Sequence, residues 1–284
     1  MSEQFDAWIG RTEDAVDTIS AQKARQMAAT LGDTCASHAL VDGEILPALW
    51  HWMGWCPETS MAGLGRDGHP AKGGFLPPIA LERRMWAGGR LSFHSHLRIG
   101  QPMQRRSEIL KVSEKSGSVG AMVFVTVGHE IHGPDGLAIS EEQDIVYVAM
   151  PTSFALPPPV PAPDAAAWVE NPDIDTVRLF RFSALTFNAH RIHFDLPYAK
   201  DIEKYPGLIV HGPLQAMMLM QAAQRHSPGQ MPATFRFRGV RPLFHFNTLS
   251  LVGQSHVGLA QALCTATEDK VVCMQADVSW RPAA

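Results

Sequence analysis

The chain has 284 residues, enough for about two domains, and its 45% hydrophobic content excludes a disordered chain and supplies a sizeable core. A net charge of −4 at pH 7 excludes the electrostatic footprint of a nucleic-acid binder, and no apolar run approaches the roughly 18 residues of a membrane-spanning helix. The acidic opening residues carry no secretory leader pattern. Four cysteines (Cys35, Cys56, Cys264, Cys273) stand far apart with no CxxC, so the expectation is a cytoplasmic protein with reduced thiols and neither nucleic acid nor membrane as partner.

In chain order, Ala21–Leu31 reads as a helix with Ser20 as its N-cap. Residues 45–55 (ILPALWHWMGW) are apolar almost all round, so a helix there must be buried, with Trp50, Trp52 and Trp55 as core packing. Alternating, β-branched stretches at 90–99, 103–113, 118–132 and 138–148 read as strands, separated by Gly- and Pro-containing turns. His94 and His96 fall on one strand face and read as solvated or hydrogen-bonded.

Residues 151–164 hold six prolines and form an extended connector. The expected division is a first unit at 1–150, a linker at 151–167 and a second unit at 168–284. In the second unit, 176–185 reads as a strand and 213–225 as a helix with Pro213 in its first turn and Met217, Met218 and Met220 in the core. Strands are expected at 233–240, 248–254, 260–266 and 271–280. An apolar helix followed by an antiparallel meander, occurring twice, predicts an α+β fold in which a sheet wraps around a helix.

The densest polar cluster in an apolar setting is FSALTFNAHRIHFD, residues 182–195, carrying Asn188, His190, Arg191, His193 and Asp195. A short polar stretch later, LIVHG at 208–212 opens the central helix. A helix start supplies unpaired N–H groups and a positive dipole end, while the loop supplies proton-transfer groups. His190 and His193 could form a metal pair, but no third ligand has convincing spacing, so no metal is expected.

The segments FSALTFNAHRIHFD and GLIVHGPLQA, with Trp8-Ile-Gly-Arg-Thr and Met85-Trp-Ala-Gly-Gly-Arg, resemble the MaoC-type, fatty-acid-synthase-type dehydratases. The resemblance is nearest to mesaconyl-C4-CoA (3-methylfumaryl-CoA) and itaconyl-CoA hydratases. It implies a double hotdog, two antiparallel sheets each wrapped around a long central helix, with a monomer or a homodimer as the assembly. It implies an acyl-CoA thioester as substrate, with no cofactor beyond that coenzyme A, and a hydro-lyase forming citramalyl-CoA. Alternatives are a fatty-acid-type 3-hydroxyacyl-thioester dehydratase, an acyl-CoA thioesterase using Asp195 as base, or a non-catalytic acyl-CoA binder.

By the same resemblance His193 matches the catalytic histidine and Gly212 the glycine whose N–H holds the thioester oxygen. Leu214 N–H assists there, and His211 is a candidate positioning residue. Asn188 replaces the aspartate of the (R)-specific enoyl-CoA hydratases. An amide cannot take a proton from water, so Asn188 is expected to orient the water or substrate, while His193 both takes the water's proton and returns it to the α-carbon. A free carboxylate on the substrate calls for an arginine, with Arg84, Arg98 and Arg191 as candidates. Arg84 beside Arg83 also reads as a solvated edge. Arg236, Arg238 and Arg241 are candidates for the coenzyme A phosphates.

Overall fold

The computed structural model describes residues 3–32, 40–117 and 120–283. Cys35, Ser118 and Val119 lie outside the described residues; Cys56, Cys264 and Cys273 are free thiols. Ten strands follow the chain as β1 (Thr12–Thr18), β2 (Arg83–Phe93), β3 (Pro102–Gly117), β4 (Gly120–Gly133), β5 (Gly136–Val148), β6 (Trp168–Glu170), β7 (Gln230–Gly239), β8 (Ser250–Gly253), β9 (Ala260–Ala266) and β10 (Val272–Pro282). Three α-helices accompany them: α1 (Ala21–Leu31), α2 (Thr176–Thr186) and α3 (Gly212–Arg225).

The strands form one sheet in the order β1-β3-β4-β5-β2-β7-β10-β9-β8-β6, and every named pairing is antiparallel. The two halves therefore meet edge to edge at β2 and β7, with Gly88 opposite Arg238 and Leu91 opposite Phe235. Glycine is required at this seam. A Cβ on Gly88 would stand 2.5 Å from the Phe237 carbonyl oxygen, closer than any side chain tolerates.

α3 packs against β7, β8, β9 and β10 and reaches β2, so the second half wraps its long helix as expected. Ten of the fourteen residues of α3 are buried, which a helix apolar on nearly all faces requires. One apolar cluster runs from α1 and α2 through α3 to Leu91 and Phe93 on the first half's side and Phe235, Phe237 and Trp280 on the second's.

Three expectations are corrected. Residues 45–55 are not a helix. Only Trp50–Met53 makes a short 3-10 turn, because Pro47 and the left-handed Leu49 (φ 70°) interrupt any longer run. Trp50 is nonetheless fully buried, and the Trp52 indole N–H donates to the buried Glu141 at 2.9 Å. The first half thus has no long central helix at this stretch, and its 11-residue α1 packs on α2. Residues 176–185 are not a strand but lie within α2. The Asp175 carboxylate accepts the Arg178 N–H at 2.7 Å, and Leu179, Phe182 and Ser183 are buried at helical spacing. β2 ends at Phe93, so His94 and His96 lie in the following loop, with His94 hydrogen-bonded to Ser140. Ser20 caps α1 as expected, accepting the Lys23 N–H.

Asp175→Ala removes the acceptor at the start of α2. It should lower stability by about 1 kcal/mol, read as a drop of about 2 °C or more in thermal midpoint. An unchanged midpoint would show that this cap does not hold the helix.

Candidate functional site

The segment after α2 is shaped by its own polar side chains. Phe187 takes a left-handed conformation (φ 49°) and ends the helix, and the Asn188 N–H donates back to the Ser183 carbonyl at 2.8 Å. The Asn188 side-chain oxygen accepts the His190 N–H at 3.0 Å, an Asx turn that leads into the 3-10 turn Arg191–His193. Arg191 donates to Asp195 through Nε at 2.9 Å and Nη2 at 2.7 Å, and its guanidinium lies 4.1 Å from the centre of the Tyr198 ring. The other Asp195 oxygen accepts the Tyr198 N–H. Arg191 and Asp195 thus brace the loop against each other.

The loop is then joined to the approach to α3. The Ile209 N–H donates to the Ile192 carbonyl at 3.0 Å, and His193 Nδ1 lies 2.8 Å from the Ile209 carbonyl oxygen. A carbonyl only accepts, so Nδ1 carries the hydrogen and Nε2 keeps a free lone pair. The His193 ring stacks on His211 with centroids 3.6 Å apart and planes 21° from parallel. His211 Nε2 is 2.9 Å from the Ser183 hydroxyl, and the His211 carbonyl accepts the Gln215 N–H in the first turn of α3. His193 and the start of α3 at Gly212 are therefore neighbours.

His190, His193 and His211 are 6%, 7% and 0% exposed. Burial pushes His193 down to about 4, against the smaller opposing effect of its hydrogen bond to Ile209 and with a further downward push from His69. Burial holds His211 well below an ordinary histidine, helped by the charge His193 would carry. It does the same for His190, helped by His69, His193, His211 and Arg84. All three rings are neutral at pH 7.

A fourth histidine arrives from the first half, and the sequence reading missed it. His69 stands with its ring centroid 4.2 Å from that of His190, which in turn is edge-on to His193 at 5.4 Å. His69 Nδ1 lies 2.8 Å from an Asp67 carboxylate oxygen, while the other carboxylate oxygen accepts the His69 N–H. Burial works to raise the Asp67 carboxyl, but the bonds and charge of His69 and the charge of Arg84 hold it below the usual carboxylate range. Asp67, His69 and His190 can offer ligand atoms within 4.8 Å of one another, a third partner that the spacing around His190 and His193 did not reveal. The only local signal was the turn-forming Asp67-Gly68 pair ahead of a histidine.

The proposed arginines separate. Arg84 acts on His190 and Asp67 through its charge and donates to the Pro70 carbonyl at 3.1 Å, so it stands at the histidine cluster. Arg191 is in the loop itself. Arg83, beside Arg84, is no solvated edge: it pairs with the buried Glu203 at 2.7 Å and bonds the Tyr205 hydroxyl. Arg98 donates to the Gly43 carbonyl, remote from these contacts. Arg236 and Arg238 are exposed and alternate with Phe235 and Phe237, which face the core around α3, so both arginines point to the opposite face of the sheet. Arg241 follows β7, its N–H bonded to the Cys273 carbonyl. None of these four contacts the histidines.

The chain is similar to known proteins over most of its length. Residues 49–245 match the family model described as hydroxyacyl-thioester dehydratase type 2. A mesaconyl-C4-CoA hydratase of Chloroflexus aurantiacus is 47% identical over 254 residues, covering 87% of this chain and 88% of the relative. Among solved structures, a MaoC-like dehydratase superposes with a TM-score of 0.73 at 13% identity, covering 98% of this chain and 100% of the other. A Mycobacterium tuberculosis protein described as having a double hotdog fold superposes with a TM-score of 0.59 at 14% identity, covering 96% of each chain. No helix among the described residues is long and apolar enough to cross a membrane. The chain belongs to the hydroxyacyl-thioester dehydratase type 2 family, hydratase and dehydratase enzymes of MaoC-like double-hotdog fold.

Proposed function

We propose that this enzyme reversibly adds water to a short, branched, carboxylated enoyl-CoA, mesaconyl-C4-CoA or itaconyl-CoA, to form citramalyl-CoA. The observation that carries the reading is the His193 ring, neutral and with Nδ1 committed to Ile209, stacked beside the first turn of α3. The 47% identity to a hydratase of mesaconyl-C4-CoA supports the substrate class.

In this reading His193 Nε2 takes a proton from water, whose oxygen bonds to the β-carbon. The double-bond electrons move toward the α-carbon and the thioester oxygen, where negative charge collects. The unpaired N–H groups in the first turn of α3, Gly212 foremost, stabilise that oxygen. A Cβ at Gly212 would meet nothing nearer than Met274 Cε at 4.0 Å. Protein packing does not demand a glycine there, which is consistent with space kept for a ligand. The charge gathering on the substrate favours protonation of His193, offsetting the burial that keeps it neutral at rest. The ring then returns that proton to the α-carbon, which completes the addition of one water and restores the neutral imidazole.

Asn188 orients the loop rather than moving a proton, since its oxygen is spent on His190. Arg84 is the cation best placed for the substrate's distal carboxylate. The reaction needs no cofactor beyond the substrate's own coenzyme A. Asp67 and His69, 17% and 24% exposed in their side chains, are more exposed than the buried rings of His190, His193 and His211.

The enoyl-thioester absorbance should bleach when the enzyme meets mesaconyl-C4-CoA, without release of free thiol. His193→Gln should abolish the bleaching, a loss of about 100-fold or more. The wild-type kcat/KM should hold as pH falls from 7 to about 5, because a base already below its ordinary value keeps its lone pair there. Release of thiol, or full turnover by the variant, would contradict the reading. Arg84→Gln should raise KM about 10-fold or more for carboxylated enoyl-CoAs while leaving that of crotonyl-CoA within twofold. An equal rise for both would remove Arg84 from carboxylate recognition.

A further inference from the structure

The expectation that no metal binds rested on a missing third ligand beside His190 and His193, and the fold supplies donors from the other half of the chain. Asp67, His69 and His190 bring one ligand atom each within 4.8 Å of one another. His190 is 6% exposed, yet among the described residues no hydrogen bond reaches either nitrogen of its ring, which meets His69 and His193 only ring to ring. A buried imidazole without a polar partner is costly unless something else satisfies it. Burial and neighbouring charges keep that ring neutral. Burial works against the Asp67 carboxylate, but His69 holds it ionised. A neutral imidazole and an ionised carboxylate are the forms that bind metal.

We propose that Asp67, His69 and His190 form a binding site for one divalent transition-metal ion, with zinc the ion this ligand set fits, and that the ion clips the first half of the chain to the second. Two imidazoles and one carboxylate are zinc donors, and three protein ligands leave a fourth position for water. Calcium and magnesium call for oxygen ligands, of which this cluster has too few. An ion about 2.1 Å from each donor holds the donors about 3.4 Å apart in a tetrahedron, a modest contraction of the cluster. Before an ion arrives, the Asp67 carboxylate accepts the His69 Nδ1–H at 2.8 Å, which keeps these two donors side by side. The inference goes beyond the hydratase reading and needs none of its steps.

Both loops are shaped before any ion binds, which spares the site much of the entropy of assembling it. The Gly65 N–H donates to the His69 carbonyl at 2.7 Å and the Gly68 N–H to the Gly65 carbonyl at 3.0 Å, so residues 65–69 form a closed turn. Between Asp67 and His69 stands Gly68 at φ +90°, where a Cβ would lie 1.9 Å from the Ala189 carbonyl oxygen. Only glycine permits this approach of one loop to the other. The Arg191 N–H donates to the Asp67 carbonyl at 2.9 Å, and the Arg191 guanidinium to the Arg66 carbonyl at 3.1 Å. On the facing side the Asn188 side chain fixes the backbone of His190. Two ligands from the first half thus meet one from the second across a contact set by backbone bonds.

Arg84 is the one opposing charge, acting on both Asp67 and His190. Its guanidinium is turned to the Pro70 carbonyl, and the ion gains direct bonds to a carboxylate and two imidazoles that a charge at longer range does not cancel. His193 stays outside the ligand set, with Nδ1 committed to the Ile209 carbonyl and its ring stacked on His211. Metal binding and the base of the hydration are therefore separable by substitution.

The test uses the full chain, stripped with a chelator, then titrated with zinc by calorimetry and with cobalt by visible absorption. One zinc per chain with a Kd of about 1 µM or below is expected, and the cobalt form should show the visible bands of a four- or five-coordinate ion. Zinc at about 100 times Kd should raise the thermal midpoint by about 5 °C. His69→Gln, Asp67→Asn and His190→Gln should each weaken zinc about 10-fold or more, while His193→Gln should leave the affinity within about threefold. His69 and Asp67 are only half-buried, so their variants test the site even where His190→Gln fails to fold. Absence of zinc binding by the folded wild-type chain would overturn the inference. So would stoichiometric binding at unchanged affinity in His69→Gln and Asp67→Asn, which would place the ion elsewhere. No substrate enters these titrations, so either result leaves the hydratase reading standing. A chain that binds zinc here but bleaches no enoyl-CoA would contradict that reading alone.

Discussion

The hydrogen bond from His193 Nδ1 to the Ile209 carbonyl is the contact on which the site depends. It fixes the tautomer, and so decides which ring nitrogen has a lone pair. It also ties the loop after α2 to the strand-like approach of α3, setting the His193 ring on His211 and beside the first unpaired N–H groups of the helix. Burial then excludes the charged form at rest. Two rings 3.6 Å apart in a buried setting cannot both carry a proton without strong repulsion, so the stack itself limits the site to one positive charge at a time.

Neither half completes this arrangement alone. The sheet is continuous through β2 and β7, where Gly88 lets the two backbones meet. The loop at 65–69 crosses from the first half to lie on the second, where Gly68 performs the same service for a contact between loops. The two halves share one apolar cluster. They also differ. The second wraps the buried α3, while in the first the stretch 45–55 fills the interior with irregular chain and a short turn around Trp50.

Much of this was readable from residue order where a local signal carries it. Ser20 marks the start of α1, the Pro213 turn marks α3, and alternation marks β3 to β5 and β7 to β10. α2 was mistaken for a strand because Thr176, Val177, Leu179 and Phe180 suit a pleated surface, yet Asp175 caps them into a helix that buries Leu179 and Phe182. His193 and Gly212 were legible because a polar loop and a helix start follow each other closely in the chain. Asp67 and His69 were not, because their meeting with His190 spans about 120 residues and depends on a close approach at one glycine, which has no periodicity. Arg236 and Arg238 share one face of β7, as residues two apart on a strand must. Only the packing of Phe235 and Phe237 toward α3 shows that this face looks away from the histidines.

The central claim is that His193 rests neutral, with its hydrogen on Nδ1. A long-range proton–nitrogen NMR spectrum of the ring-labelled protein at pH 7, with the His193 signals assigned by their loss in His193→Gln, measures this directly. The account predicts a neutral ring protonated at Nδ1 with a bare Nε2, unchanged on acidification to about pH 5. A ring protonated at Nε2, or an imidazolium at pH 7, would contradict it.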